Sequence, residues 1–342
     1  MQLGEYWATR FCVLLWFGLN MSIGSLMKWI YLHSKLCSAL RPDRCEQYDF
    51  PLFITSVHML CCWLLCGLYL RASRSPAPDD GAVVVGSGLG AGEIFRSVGP
   101  LAALFAVSVG LGNLSLSYVY PSFNQMVSTT TPLITMLIQI LFYRSKYNCW
   151  AYVSVSVLSG GFILCYQHEQ NYHILGLACS IGAAIFRAAK SVLQAYLLKD
   201  KKKTMDPVML LYYMAPYSGL LLFCFSCAAL GARPLSIFFQ DGELSPNAPM
   251  VMGLTFLSGV TACLLNIFNF LVTYYTSAVV LQILGNVKVV LAIAFSSLIF
   301  RNEVSTMQWL GSAICILGCV LYQQKARTLK VLPADKGTEK SP

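Results

Sequence analysis

The sequence predicts an all-α membrane protein of ten transmembrane helices, arranged as a five-plus-five inverted repeat of the kind that secondary carriers use. Three observations carry this expectation. Of the 342 residues, 56% are hydrophobic and only 11% charged, and the mean hydropathy is +0.62, far more apolar than an average soluble domain. Apolar runs of about 17 to 25 residues, the length that crosses a bilayer, recur between clusters of charge. Shifting the chain by 157 residues without a gap lays Tyr118 on Tyr275, Gln125 on Gln282, Arg144 on Arg301, Gly161 on Gly318 and Leu164 on Leu321. Because each half holds an odd number of spans, the two halves must lie in opposite orientations.

The spans are expected at 10–32, 51–70, 97–117, 121–143, 149–167, 174–198, 207–230, 249–273, 277–300 and 304–323. The first repeat is therefore 10–167 and the second 174–323, between a cytosolic N-terminus at 1–9 and a cytosolic tail at 324–342. The first apolar run continues from Arg10 to Tyr31, long enough to stay as a span and not be removed as a signal peptide. Residues 71–96 read as a flexible cytosolic loop. Its glycines from Gly86 to Gly92 lack the strand and helix that would make them a phosphate cradle, so a linker is the better reading.

The formal net charge of +9 would suggest nucleic acid in a soluble protein, but the bases are placed to orient a membrane protein. Arg71, Arg74, Arg96, Arg144, Lys146, Lys199 and Lys201 to Lys203 fall on one side with the tail bases Lys325, Arg327 and Lys330. The opposite side is nearly balanced, which puts both termini in the cytosol. The fourteen cysteines are mostly spread singly, as Cys165, Cys179, Cys263 and Cys315 are, without the paired spacing of a zinc site. Cys224 and Cys227 form a CxxC inside a span, where a packing role is expected. Cys37 and Cys45 share one luminal loop, where pairing is open to them.

All fifteen acidic residues fall in expected loops, tails or span ends, whereas Lys28, Arg187, Lys190 and Lys288 lie within spans. A charge at the bilayer centre costs about 2.5 to 3.5 kcal/mol on insertion scales, so such residues face a bundle interior or a watery cavity. Arg187, Lys190 and Gln194 share one face of the sixth helix at spacings of three and four. With Lys288 of the ninth helix they would build a cavity at positive potential that an organic anion neutralises. Arginine grips phosphate or carboxylate through its planar fork, and lysine acts as a point charge. Lys28, near the luminal end of the first span, could equally snorkel to the interface.

His58 in the second span could donate to a substrate or simply pack. Asn20, Asn113, Asn124, Asn266, Asn269 and Asn286 are amides in or near spans that could bond substrate or neighbouring helices, Asn124 and Asn286 being the substrate-site candidates. Asn20 and Asn113 fit glycosylation sequons, but both lie in spans. Thr129 to Pro132 place a proline inside the fourth span, a candidate broken-helix wall of a cavity.

The segments WFGLNMSIGSLMKWIY with DFPLFITSVHM, GNLSLSYVYPSFNQMVSTTTPLIT, FRAAKSVLQAYLL and TSAVVLQILGNVKVVLAIAFSSLIF resemble, in this order, the triose-phosphate and nucleotide-sugar transporters of the drug/metabolite transporter superfamily. The likeness covers about residues 10–324 and is greatest to the E branch of solute carrier family thirty-five. It implies the same ten-helix inverted repeat and alternating-access exchange of a phosphorylated solute across a Golgi, endoplasmic reticulum or plastid-type membrane. In the phosphate-translocator pattern a lysine follows the SFNQ segment, where this chain has Ser128, and the late Lys-Arg pair stands here as Lys288 and Val289. The chain thus departs from the triose-phosphate pattern, and its Lys-Val form is more similar to sugar-nucleotide-type relatives. Arg187 and Lys190 match the basic sixth helix of the family.

The expected function is therefore that of an antiporter of a phosphorylated organic anion, a nucleotide sugar or sugar phosphate. Its partners are that small solute and the lipid bilayer, with a homodimer left open, no cofactor or metal, and no nucleic acid. The alternative is a non-transporting membrane protein with a trafficking or assembly role, which Ser128 and Val289 would permit. A cation carrier lacks a mid-span carboxylate, and an enzyme lacks a nucleophile with its base, a metal cluster or a Walker loop in workable context.

Overall fold

The computed structural model describes residues 3–38, 45–73, 91–119, 124, 127–165, 173–199, 205–240, 243–300 and 306–325. Within them the chain forms α1 (Leu3–His33), a hairpin of β1 (Lys35–Cys37) and β2 (Cys45–Gln47), α2 (Pro51–Ala72), α3 (Ala91–Leu116), α4 (Thr131–Tyr143), α5 (Cys149–Cys165), α6 (Ile174–Lys199) and α7 (Pro207–Leu230). A four-residue helical turn, Arg233–Ser236, leads into a second hairpin of β3 (Phe239–Gln240) and β4 (Glu243–Leu244), followed by α8 (Ala248–Tyr275), α9 (Ala278–Phe300) and α10 (Thr306–Lys325). Both hairpins are antiparallel and sit in connections that hydropathy alone read as plain loops.

Helix starts follow the chain's own punctuation. Pro51 opens α2, and Pro207 opens α7 behind Asp206, whose carboxylate accepts from the Val208 amide. Within the expected fourth span, 121–143, residues 124, 127 and 128 are helical, the chain turns at Thr129 and Thr130, and α4 begins at Thr131 with Pro132 in its first turn, because proline has no N–H to give and restricts the residue before it. Residues 121–123, 125 and 126 of that span lie outside the described residues, as do 74–90 of the expected cytosolic loop, whose end is helical from Ala91.

Among the described residues six helices are long and apolar enough to cross a membrane, namely α1, α2, α3, α6, α7 and α8, so the chain is a multi-pass membrane protein. Its outer faces agree. Leu14, Leu68, Leu141, Phe142 and Ile174 are exposed, a pattern that suits hydrocarbon and not water.

The helices divide into two compact units, each drawing on both sequence halves. The first comprises Met1–Asn113 with Leu193–Ser277 and the second Leu114–Val192 with Ala278–Pro342, the boundaries falling inside α3 and α6. In the first, α2 packs on α7 and α8, and α1 packs on α8. Met59, Leu101, Leu211, Met214 and Phe270 form its main core, and Ile30, Leu36, Tyr48, Ile54 and Val251 a second one beneath the β1–β2 hairpin. Cys37 and Cys45 are joined in a disulfide across that hairpin. The Cys37 amide donates to Ser245 Oγ at 3.1 Å, Asn247 Nδ2 donates to the Lys35 carbonyl at 3.1 Å, and Arg233 pairs with Glu46 at 3.2 Å. Cys224 and Cys227, expected to pack, are instead free thiols exposed on α7, whereas Cys179, Cys263 and Cys315 are buried as expected.

In the second unit α5 packs closely along α10, and α4 along α9. Two glycines permit the first crossing. A Cβ on Gly161 would lie 2.8 Å from the Cys315 nitrogen, and one on Gly318 would lie 2.7 Å from the Leu158 nitrogen. Without side chains there, the backbones meet directly, as small residues allow in membrane helix pairs. Cys315 Sγ donates to the Leu158 carbonyl at 3.4 Å, and Met136, Val155, Ile283 and Val290 close the core around the crossing.

Candidate functional site

Arg187 and Lys190 stand three residues apart on α6, within reach of one another on one face. Buried Ala183, Ala184 and Ala188 surround them on the same helix, leaving room for long side chains and close neighbours. Lys190 is 7% exposed and Arg187 is half-buried. The Arg187 guanidinium acts electrostatically on both Lys190 and the half-buried Lys288 of α9, so the second unit holds a cluster of three like charges in apolar helices.

Hydrogen bonds fix the two helices that carry the cluster. Ser191 Oγ donates to the Arg187 carbonyl at 3.0 Å, and the Gln282 amide of α9 donates to Ser191 Oγ. This ties α6 to α9 next to the cations. Asn286, two residues before Lys288 and 5% exposed, donates from Nδ2 to the Thr129 carbonyl at 3.0 Å. Val289, which stands where the phosphate-translocator pattern has arginine, packs against the core of the second unit. Ser128, in place of the lysine, is buried.

Asn124 belongs to the same unit. Its Oδ1 accepts from Ser180 at 3.0 Å, and the Ser180 and Ser115 hydroxyls are bonded to each other, with Ser115 also reaching the Gly176 carbonyl at 3.1 Å. A polar chain thus links α3, α6 and Asn124.

The remaining candidates lie in the first unit. Buried His58 on α2 is bonded through Nε2 to Ser258 Oγ of α8 at 2.8 Å, the arrangement of a satisfied interhelical histidine. Gln194 donates from Nε2 to Thr273 Oγ1 at 2.8 Å, while its Oε1 is buried without a partner. Lys28 is exposed on α1. Asn20, Asn113 and Asn266 turn their amides back to carbonyls four residues earlier, at 2.7, 2.9 and 3.0 Å, bonds made within their own helices.

Sequence reasoning passed over Ser191, Ser180 and Ser115 as ordinary small polar residues, and singled out Thr129 only as part of the proline-containing cavity wall. Gln282 had a signal, because the 157-residue shift pairs it with Gln125. A hydroxyl in a helix ordinarily returns its proton to its own backbone, so its use across helices is decided by packing.

The model of the Triose-phosphate Transporter family matches residues 11–323. A probable sugar phosphate/phosphate translocator of Arabidopsis thaliana is 30% identical over 317 residues, covering 93% of this chain and 81% of that protein. UDP-galactose transporter 1 of the same plant is 28% identical over 94% of this chain and 88% of its own length. Its UDP-uronic acid transporter 1 is 31% identical over 83% of this chain and 88% of its own. One crystal structure superposes with a TM-score of 0.61 at 12% identity, covering 96% of this chain and 100% of the other, a likeness of fold alone.

Proposed function

The chain belongs to the Triose-phosphate Transporter family, and on that premise we propose that it is a secondary transporter exchanging a phosphorylated organic anion, a nucleotide sugar or sugar phosphate, by alternating access. The observation that carries this reading is the clustering of Arg187, Lys190 and Lys288 in the apolar helices of one unit. Three cations held close favour an anionic solute with more than one charged oxygen, which phosphate and diphosphate groups supply. The names of its relatives, a UDP-galactose and a UDP-uronic acid transporter among them, favour a nucleotide sugar. Val289, packed in the core where a second phosphate-binding charge would stand, agrees with a departure from triose phosphate.

The transport cycle would run on a ten-helix inverted repeat. Two contacts support it: Asn286 bonds Thr129, and Cys315 bonds Leu158, each across 157 residues, the offset that superposes the halves. A residue that touches its own counterpart lies on the axis relating the two copies, the self-complementary contact of a two-fold interface. Substrate sites of such carriers lie at the midplane near that axis, where Asn286 precedes Lys288 by two residues.

The Cys37–Cys45 disulfide favours a luminal position for the β1–β2 hairpin, since disulfides persist in oxidising compartments. With the excess of bases on the opposite side, it supports a reading with both termini in the cytosol and the protein in a Golgi or endoplasmic reticulum membrane. Counterflow in proteoliposomes, run against a panel of nucleotide sugars and sugar phosphates, tests the proposal. One or more of these solutes should exchange, and exchange should collapse in Lys288→Ala; exchange undiminished by that substitution would refute the proposed grip.

A further inference from the structure

The second unit holds a polar corner two helical turns from the cations. Ser180 stands seven residues before Arg187 on α6, so the two share one face at a separation of about 10.5 Å along the axis. The corner is closely built. A Cβ on Gly176 would lie 2.8 Å from the Tyr118 Cβ and 2.6 Å from the Val119 Cγ1, so the first turn of α6 presses on the chain that leaves α3, and Tyr118 stacks on His173 at 5.2 Å. Ser115 and Ser180 are fully buried there, whereas Asn124 is half-buried.

Two hydroxyl protons serve three contacts in this corner. Ser115 reaches the Gly176 carbonyl at 3.1 Å, the Ser115 and Ser180 hydroxyls are bonded to each other, and Ser180 reaches Asn124 Oδ1 at 3.0 Å. Carbonyl oxygens only accept, so the two end contacts would use both serine protons and leave none for the middle one. One end must yield. With Ser115 donating to Ser180 and Ser180 to Asn124, the Gly176 carbonyl keeps its helical N–H partner, and Asn124 Nδ2, which has no partner among the described residues, is presented as a donor. In the reverse order Ser180 donates to Ser115 and Ser115 to Gly176, and the Asn124 amide turns over to donate to Ser180 and present Oδ1. Each arrangement uses both buried hydroxyls.

Asn124 can thus offer either a donor or an acceptor. That matches a hydroxyl, the uncharged group that both donates and accepts. We infer that Asn124 reads a hydroxyl on the uncharged part of the transported anion, with Ser180 and Ser115 as its positioning residues and the charged end of the solute at Arg187. The inference rests on the anion-exchange reading above and adds a class of solute: a polyol phosphate whose hydroxyls lie about one sugar's length from the phosphate, a span that the separation of Ser180 and Arg187 allows once the reach of the arginine side chain is counted. A phosphorylated apolar chain would leave Asn124 unmatched.

The test uses the full chain in the counterflow assay, with glucose 6-phosphate and hexyl phosphate as competing inhibitors of equal carbon number. In the native chain glucose 6-phosphate should inhibit about fivefold more strongly or better. Asn124→Ala should bring the two inhibitors within about twofold of each other, its thermal midpoint in detergent showing that it is folded. Ser180→Ala should also lower the ratio, through a raised apparent KM with the maximal exchange rate kept, and Ser180→Cys, a weak donor, should restore part of it. Lys288→Ala should weaken both inhibitors together and leave their ratio standing, which separates the anion grip from the reading of the hydroxyl. A ratio near one in the native chain, or a ratio that survives both Asn124→Ala and Ser180→Ala, overturns the inference alone. Failure of every solute in the panel to exchange overturns the reading beneath it as well.

Discussion

Asn286 donates its side-chain amide to the carbonyl oxygen of Thr129 at 3.0 Å, and the two residues stand 157 positions apart. Leu158 and Cys315 meet at the same separation. In the proposed inverted repeat these are residues touching their own counterparts, so the bonds hold the turn before α4 to α9, and α5 to α10, at the points where a pseudo-two-fold axis would pass. Stability and transport should therefore respond together to changes there.

Asn286→Leu keeps the volume and removes the donor. Hydrogen bonds between membrane helices are worth about 0.6 kcal/mol on average and up to about 1.7. The variant should lose stability in that range, read as a lowered thermal midpoint in detergent. Asn286→Asp, which accepts but cannot donate when ionised, should lose at least as much.

Gly161→Ala and Gly318→Ala each drive a Cβ within 2.8 Å of the facing backbone. Overpacking of this kind costs about 1 to 3 kcal/mol. Because both act on one crossing, the double variant should fall short of the sum of the singles. Gly160→Ala is the contrast, since a Cβ there meets nothing within 4 Å. It should be neutral or stabilising by up to about 1 kcal/mol, the helix propensity difference. Thermal unfolding of the four variants decides the matter.

Within the cation cluster, Lys288→Ala, Lys190→Ala and Arg187→Lys should each lower exchange in the counterflow assay. Hydrogen bonds to charged groups contribute about 1.5 to 3 kcal/mol, which corresponds to roughly 10- to 100-fold. Arg187→Lys keeps the charge, so its loss would report the planar fork. Gln282→Leu, which frees Ser191 on the neighbouring turn, should weaken exchange through misplacement of α6 and by a smaller factor.

Cys37→Ser should destabilise the hairpin region by about 2 to 3 kcal/mol through the chain entropy that the disulfide removes. In intact microsomes, the Cys37–Cys45 pair should resist maleimide labelling until a reductant is added. Arg233→Ala should cost no more than about 0.5 kcal/mol, because its pair with Glu46 is 65% and 53% exposed.

Hydropathy and helical period by themselves determined that the chain crosses a membrane, where α2 and α7 begin at Pro51 and Pro207, and that Arg187 and Lys190 share a face. These are properties of neighbouring residues, and neighbouring residues fix them. The tertiary structure decided what no local pattern encodes. It started α4 at Thr131, exposed Cys224 and Cys227, closed Cys37 onto Cys45, and brought Lys288 under the influence of Arg187. Apolar helices of similar composition are interchangeable to hydropathy. Which of them meet is set by where a glycine admits a backbone and where an amide finds a carbonyl more than a hundred residues away.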